Sequence, residues 1–233
     1  MRRLGPVLVA GLLLLTGAAS APVGSAAPPA GFAWRVLTSG PERFAVATEG
    51  RGVTITGLAP TGVVPPFWNR RQVLVPRGAR PARDQTVCAT WVRETNWSNQ
   101  QGLAVRVSRP HGGPLRALTL TKNVFGHATW WINLLSWRGQ EFTTLGQFDM
   151  SGVVSQDGER VRAFPWRICL RAEGERLGFK VWLPRREPEP AWDDPGHTAW
   201  VSAPERSGLA GWYAGHLAPG DQLRYADLGV TAD

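Results

Sequence analysis

Trp166-Arg167-Ile168-Cys169-Leu170-Arg171-Ala172-Glu173-Gly174-Glu175-Arg176-Leu177-Gly178-Phe179-Lys180-Val181-Trp182-Leu183 decides the fold class of this chain. Along an extended strand, successive side chains point to opposite faces. Trp166, Ile168 and Leu170 therefore share one face, and Leu177, Phe179, Val181 and Leu183 share one face of the next run. Glu173-Gly174-Glu175 between them has the composition of a tight turn. These residues predict a hairpin over 166–172 and 177–183 with its apolar sets in the core. The other parity, Arg167, Cys169, Arg171, Gly178, Lys180 and Trp182, makes a second face turned away from the core.

The same rhythm continues in both directions. Short apolar runs at 43–48, 52–56, 86–94, 102–108, 115–122, 130–137, 208–215 and 223–230 read as strands. Residues 49–52 form a tight turn, and 61–66 and 77–83 are Pro- and Gly-rich loops. β-branched and aromatic residues fill the runs, as pleated surfaces favour. No long stretch repeats apolar residues at the helical period. The chain is therefore expected to be all-β, a sandwich or a barrel.

At the N-terminus, Arg2 and Arg3 precede an apolar run at 7–15 and a small-residue stretch at 16–27. These are the three parts of a cleavable export signal. The run is too short to cross a bilayer, which takes about 20 residues. We expect 1–27 to be a signal peptide cut after Ala26 or Ala27, 28–40 a lead-in linker, and 41–233 a single domain. That domain would be secreted or held in the cell envelope, with no membrane attachment after cleavage. In such a compartment Cys88 and Cys169 are expected to form a disulfide, the alternative being two buried free thiols. A bridge would join the face of Cys169 to that of Cys88, which by parity also carries Thr90 and Val92.

The chain holds 26 Lys and Arg against 18 Asp and Glu, a formal charge of +8, of which Arg2 and Arg3 supply two. Every basic residue except Lys122 and Lys180 is Arg. The charge is spread along the chain, which speaks to solubility and non-specific contact, and no nucleic-acid partner is expected.

Residues 166–183, with Glu187-Pro188-Glu189-Pro190, Trp192, Gly208-Leu209-Ala210-Gly211-Trp212 and Tyr225-Ala226-Asp227-Leu228-Gly229-Val230, carry a family resemblance. This stretch resembles the second half of concanavalin A-like lectin/glucanase jelly rolls, the laminin-G-like domains of secreted bacterial proteins. The resemblance implies an antiparallel jelly-roll β-sandwich of two sheets, one curved, with a concave face that often carries the ligand. On that implication Arg167, Arg171, Lys180, Trp182 and Thr90 are the expected ligand-binding residues. The fold hosts lectins, hydrolases, lyases and spacers, so by itself it implies no activity.

Retaining glycosidases hold two carboxylates about 5 Å apart. Glu187 and Glu189 have strand spacing, but Pro188 and Pro190 place them in a loop. Asp193 and Asp194 are adjacent and would diverge on a strand; in a loop they could serve calcium. Tyr213 and Tyr225 lie outside any Tyr-x-Lys run, and His111, His127, His197 and His216 are scattered beside Gly. No His or Cys spacing suggests zinc, and no metal or cofactor is expected. Of the 12 tryptophans, Trp91, Trp130, Trp166 and Trp212 are expected in the core, and Trp97, Trp137 and Trp182 at the surface. The expected function is an exported, lectin-like, non-catalytic domain that binds a cell-surface or extracellular glycan. The alternatives are a glycan-cleaving hydrolase or lyase of the same fold, and a structural or adhesion module of the envelope.

Overall fold

The computed structural model describes residues 33–38, 40–63, 70–125, 129–156, 159–161 and 164–232. The strands are β1 (Trp34–Thr38), β2 (Arg43–Glu49), β3 (Gly52–Leu58), β4 (Arg71–Pro76), β5 (Gln85–Glu94), β6 (Gln100–Ser108), β7 (Arg116–Phe125) and β8 (Thr129–Arg138). They continue with β9 (Glu141–Asp149), β10 (Ser155–Gln156), β11 (Glu159–Val161), β12 (Trp166–Glu173), β13 (Arg176–Trp182), β14 (Thr198–Ser202), β15 (Leu209–Gly215) and β16 (Gln222–Ala232). Two seven-stranded sheets result, ordered β1-β4-β15-β6-β7-β8-β9 and β14-β13-β12-β5-β16-β3-β2. This is the antiparallel jelly-roll sandwich that the resemblance implied.

The hairpin expected over 166–172 and 177–183 forms as β12 and β13, with Ile168 opposite Val181 and Leu170 opposite Phe179. Its apolar parity faces inward and meets Leu74, Leu103, Leu120 and Trp212 of the first sheet in one core. Trp91, Trp166 and Trp212 are buried as expected, and Trp97 is exposed as expected. The side chain of Trp130 lies outside the described residues. Tyr225 spans the core from β16. Its hydroxyl accepts from Gly102 N–H at 3.1 Å and donates to the Tyr213 carbonyl, inside the β6–β15 ladder. Burial pushes its pKa well above the ordinary phenol value, which keeps this donor protonated.

Four longer strands go beyond the sequence reading: β1, β4, β9 and β14. β1 falls within the stretch read as a lead-in at 28–40. It pairs with β4, and Trp34 packs edge-on against Trp212 with ring centroids 5.3 Å apart. Residues 1–27, where the sequence leads one to expect an export signal with its cut after Ala26 or Ala27, lie outside the described residues. No helix among the described residues is long and apolar enough to cross a membrane.

Cys88 and Cys169 stand directly opposite each other on β5 and β12 and are bonded. They lie on the outer face of the second sheet and pack with Trp182 and Trp192. The bridge joins residues 81 apart in sequence. In the chain-entropy model, closing such a loop contributes about 4 kcal/mol. The Cys88→Ala/Cys169→Ala protein is therefore expected to melt about 10 °C lower than the wild type. Thermal unfolding of the two proteins checks this, and an unchanged midpoint would show that the sheet alone fixes the pairing.

Candidate functional site

Arg167, Arg171, Lys180, Trp182 and Thr90 all stand on the outer face of the second sheet, as their parity requires, but in two groups. In the first, Arg167 Nη1 donates to Thr90 Oγ1 at 3.4 Å and to the Asp227 carbonyl, and Thr90 donates to Asp227 Oδ2 at 3.1 Å. Asp227 has φ of 48° at the irregularity where β16 slips against β5. Burial lowers the pKa of Arg167, and Asp227 and Glu189 oppose the shift.

The second group is covered by the loop that joins β13 to β14. Lys180 Nζ pairs with Glu189 at 2.6 Å and donates to the Pro190 carbonyl at 3.0 Å. It also lies 4.9 Å from the Trp192 ring centroid and 5.5 Å from that of Trp182. Trp182 packs against the disulfide and Trp192, and both it and Lys180 are only 4% exposed. The expectation that Trp182 reaches the surface is thus corrected. Parity gives the direction of a side chain, and what folds over it is a separate matter. Arg171 stays at the margin, its guanidinium 5.6 Å from the Trp192 ring and 3.5 Å from Glu173. Trp200 anchors the same loop by donating to the Trp192 carbonyl at 3.1 Å. It lies flat on Gly178, where an added Cβ would sit 2.3 Å from the indole.

The loop brings together acids and a histidine that the sequence left scattered. His197 Nδ1 is 3.0 Å from Asp194 Oδ2, and Nε2 is 3.1 Å from Glu187 Oε2. Glu187 Oε1 accepts from Leu183 N–H at 2.8 Å, and Asp194 Oδ1 from Gly196 N–H at 2.9 Å. The Gly196 N–H and then His197 hold the Asp194 carboxyl below its ordinary range. Glu187 and His197 border a cleft of about 410 Å³ that Asp149, Met150 and Arg186 also line. All four carboxylate oxygens and both ring nitrogens are engaged within the loop, so the arrangement is a clamp that fixes the loop's path. His127 lies outside the described residues.

The outer face of the first sheet presents different chemistry. Register places Asn123, Trp131 and Asp149 in one row across β7, β8 and β9, and Thr121, Asn133 and Gln147 in the next. Gln147 Nε2 donates to Asn133 Oδ1 at 3.3 Å. Gln100 Nε2 donates to Asn123 Oδ1, and Asn123 Nδ2 to Thr121 Oγ1 at 3.5 Å. The chain of donors starts at Tyr213, whose hydroxyl donates to Gln100 Oε1 at 3.2 Å. Burial pushes the Tyr213 phenol up to about 12, so it remains a donor. Its ring lies on bare backbone at Gly102, where a Cβ would meet it at 2.8 Å. Trp137, expected at the surface, is instead buried here beneath the Arg71 guanidinium, 4.3 Å from its ring. Trp131 is half-buried, while Gln147 and Asp149 are exposed. Oriented amides beside an indole supply both donors and acceptors next to a flat apolar surface. The sequence reading missed these residues. Asn133 was visible as a polar break in the run Ile132-Asn133-Leu134, but its partner Gln147 lies on a strand that was not foreseen.

No family model matches the chain, and no curated protein matches it in sequence. Solved structures do match its fold. The carbohydrate-binding module CBM66 from Bacillus subtilis is 10% identical and superposes at a TM-score of 0.50, covering 84% of this chain and 95% of that one. A legume lectin-like domain from Entamoeba histolytica is 8% identical at a TM-score of 0.51, covering 86% and 90%. A β-1,3-1,4-glucanase (lichenase) from a mouse hindgut metagenome is 8% identical at 0.50, covering 88% and 94%.

Proposed function

We propose that this concanavalin A-like jelly roll is an exported carbohydrate-binding domain whose sugar face is formed by Asn123, Trp131, Asn133 and Gln147. The observation that carries the reading is the two-row register of β7–β9, which gathers amides around one half-buried indole. A sugar ring offers hydroxyls that both donate and accept, and C–H faces that stack on indole. That a carbohydrate-binding module, a lectin-like domain and a glucanase share the fold supports the class of ligand. On the second sheet, Arg167 and Arg171 are the more accessible residues of the outer face, with Arg171 beside Trp192, and they form the alternative position that the test below separates from the amide face.

The test is a glycan array on the secreted protein, followed by titration of the best ligand. Trp131→Ala is expected to cost about 2 kcal/mol of affinity, roughly thirtyfold, as truncation of a central aromatic does. Asn133→Ala should weaken binding about tenfold, and Arg171→Ala should leave it unchanged. Loss on Arg171→Ala with the other two silent would move the site to the second sheet, and an array without any glycan signal would end the reading. Export is checked by the mass of the extracellular protein, which should begin at Ala27 or Pro28.

A further inference from the structure

One end of the sandwich, near the turn between β12 and β13, holds two arginines, Arg116 and Arg206, that make no ion pair among the described residues. Register sets Ser108, Arg116 and Arg138 side by side on β6, β7 and β8. Arg206 lies between β14 and β15, two residues past Pro204, whose carbonyl accepts from Arg106. Leu209, three residues on, pairs with Val107 of β6, which adjoins Ser108, the partner of Arg116, and the positive charges of Arg116 and Arg106 act on Arg206 there. The acids beside Arg106 and Arg206 are committed elsewhere. Asp84 accepts from Gly174 N–H and lies 3.7 Å from Arg106, and Glu205 pairs with Arg83. Glu141 stands across from Arg138 on the neighbouring strand β9. Among the described residues, Arg116 Nε, Arg206 Nε and Arg206 Nη2 are closed to solvent without a hydrogen-bond partner.

Like charges face to face on neighbouring strands repel. A guanidinium N–H shut from water and given no acceptor is costly to the fold unless a ligand supplies the acceptor. Guanidinium forks bind paired oxygens of an oxyanion side by side, and two of them match the charge of a dianion. We propose that Arg116 and Arg206 bind a tetrahedral dianion of the sulfate type, with Arg138 at the mouth of the site. The group could be free sulfate or a sulfate ester carried on a polymer; the chemistry at the arginines is the same. Arg116 and Arg138 have the opposite parity to Asn123 and Asn133, so this site stands whether or not the amide face binds sugar.

The experiment titrates sodium sulfate into the mature protein at ionic strength held constant with sodium chloride, read by calorimetry and by melting. Wild-type protein should bind sulfate saturably and melt higher with it. Arg116→Gln and Arg206→Gln should each weaken binding about tenfold, and the double variant should abolish it. Without sulfate the double variant should melt at or above the wild-type temperature, because like-charge repulsion is relieved. A purely structural role for the arginines would give the reverse. Dextran sulfate against plain dextran forms the second arm. Arginine-dependent capture of dextran sulfate assigns the site to sulfate esters, and capture of sulfate alone assigns it to the free ion. Equal sulfate effects on wild type and double variant, as the general exclusion of sulfate from protein surfaces would give, overturn the proposal. So does a double variant that melts lower in sulfate-free buffer.

Discussion

Arg106→Met is expected to lower the unfolding free energy by about 4 kcal/mol, since each buried acceptor left without a donor costs roughly 1–3 kcal/mol. Arg106 sits in an irregular turn of β6, between Val105 and Ser108, with φ of 53°. Its side chain is fully buried and ties together three segments distant in sequence. Nε donates to the Arg83 carbonyl at 2.9 Å, Nη1 to that of Pro204 at 2.8 Å, and Nη2 to that of Gly174 at 2.5 Å. Its own N–H donates to Gln85 Oε1 at 2.9 Å. Burial lowers its pKa and Asp84 opposes the shift. Arg106→Lys should be nearly as damaging, because one ammonium cannot reach three carbonyls set around a planar fork. Urea unfolding of the three proteins checks both expectations. A wild-type midpoint for Arg106→Met would show that the three segments hold each other without it.

The second large effect is expected at Lys122. Its partner across β8 is Ile132, a core residue, so Lys122 points between the sheets, where it is buried and pairs with Glu94. Desolvation dominates on both sides: it lowers the pKa of Lys122 and raises that of Glu94, and each partner opposes the shift of the other. Removing one member leaves a buried charge uncompensated, and Lys122→Met should cost about 4 kcal/mol. Replacing both, as Lys122→Met/Glu94→Leu, should return stability to within about 1 kcal/mol of wild type, because the desolvation cost disappears with the pair. Denaturant unfolding of the four members of the cycle measures the coupling. A double variant as unstable as the single one would mean that the pair organises its neighbours beyond its own charges.

The hairpin of β12 and β13 was legible because its core-facing positions are all apolar while the other parity carries Arg167, Arg171 and Lys180, so the alternation marks the inward side even though a loop also buries part of the outer face. β9 was not. Its outward residues include Phe142, Thr144 and Gln147, while Glu141, Thr143 and Thr144 break any apolar run. β4 begins with Arg71-Gln72, two polar residues that the fold buries, so its first half reads as a loop. For the face of Lys180 and Trp182, parity gave the correct side of the sheet. The covering was invisible because it depends on where a proline-rich loop returns, which the clamp of Glu187, Asp194 and His197 decides in three dimensions. The amide face escaped because its members come from three strands whose relative register the sequence does not encode locally.

The loop laid over the second sheet also makes the Cys88–Cys169 bond a clock. Cys88 is 7% exposed and Cys169 2%, and Trp182 and Trp192 close over the sulfurs. A small reductant added to the native protein can attack only when the loop has lifted. The lifetime of the bridge in dithiothreitol therefore counts local openings of residues 184–197 while the sandwich beneath stays folded. Any change that loosens the Lys180–Glu189 pair or the His197 clamp should shorten that lifetime without moving the melting temperature of the domain.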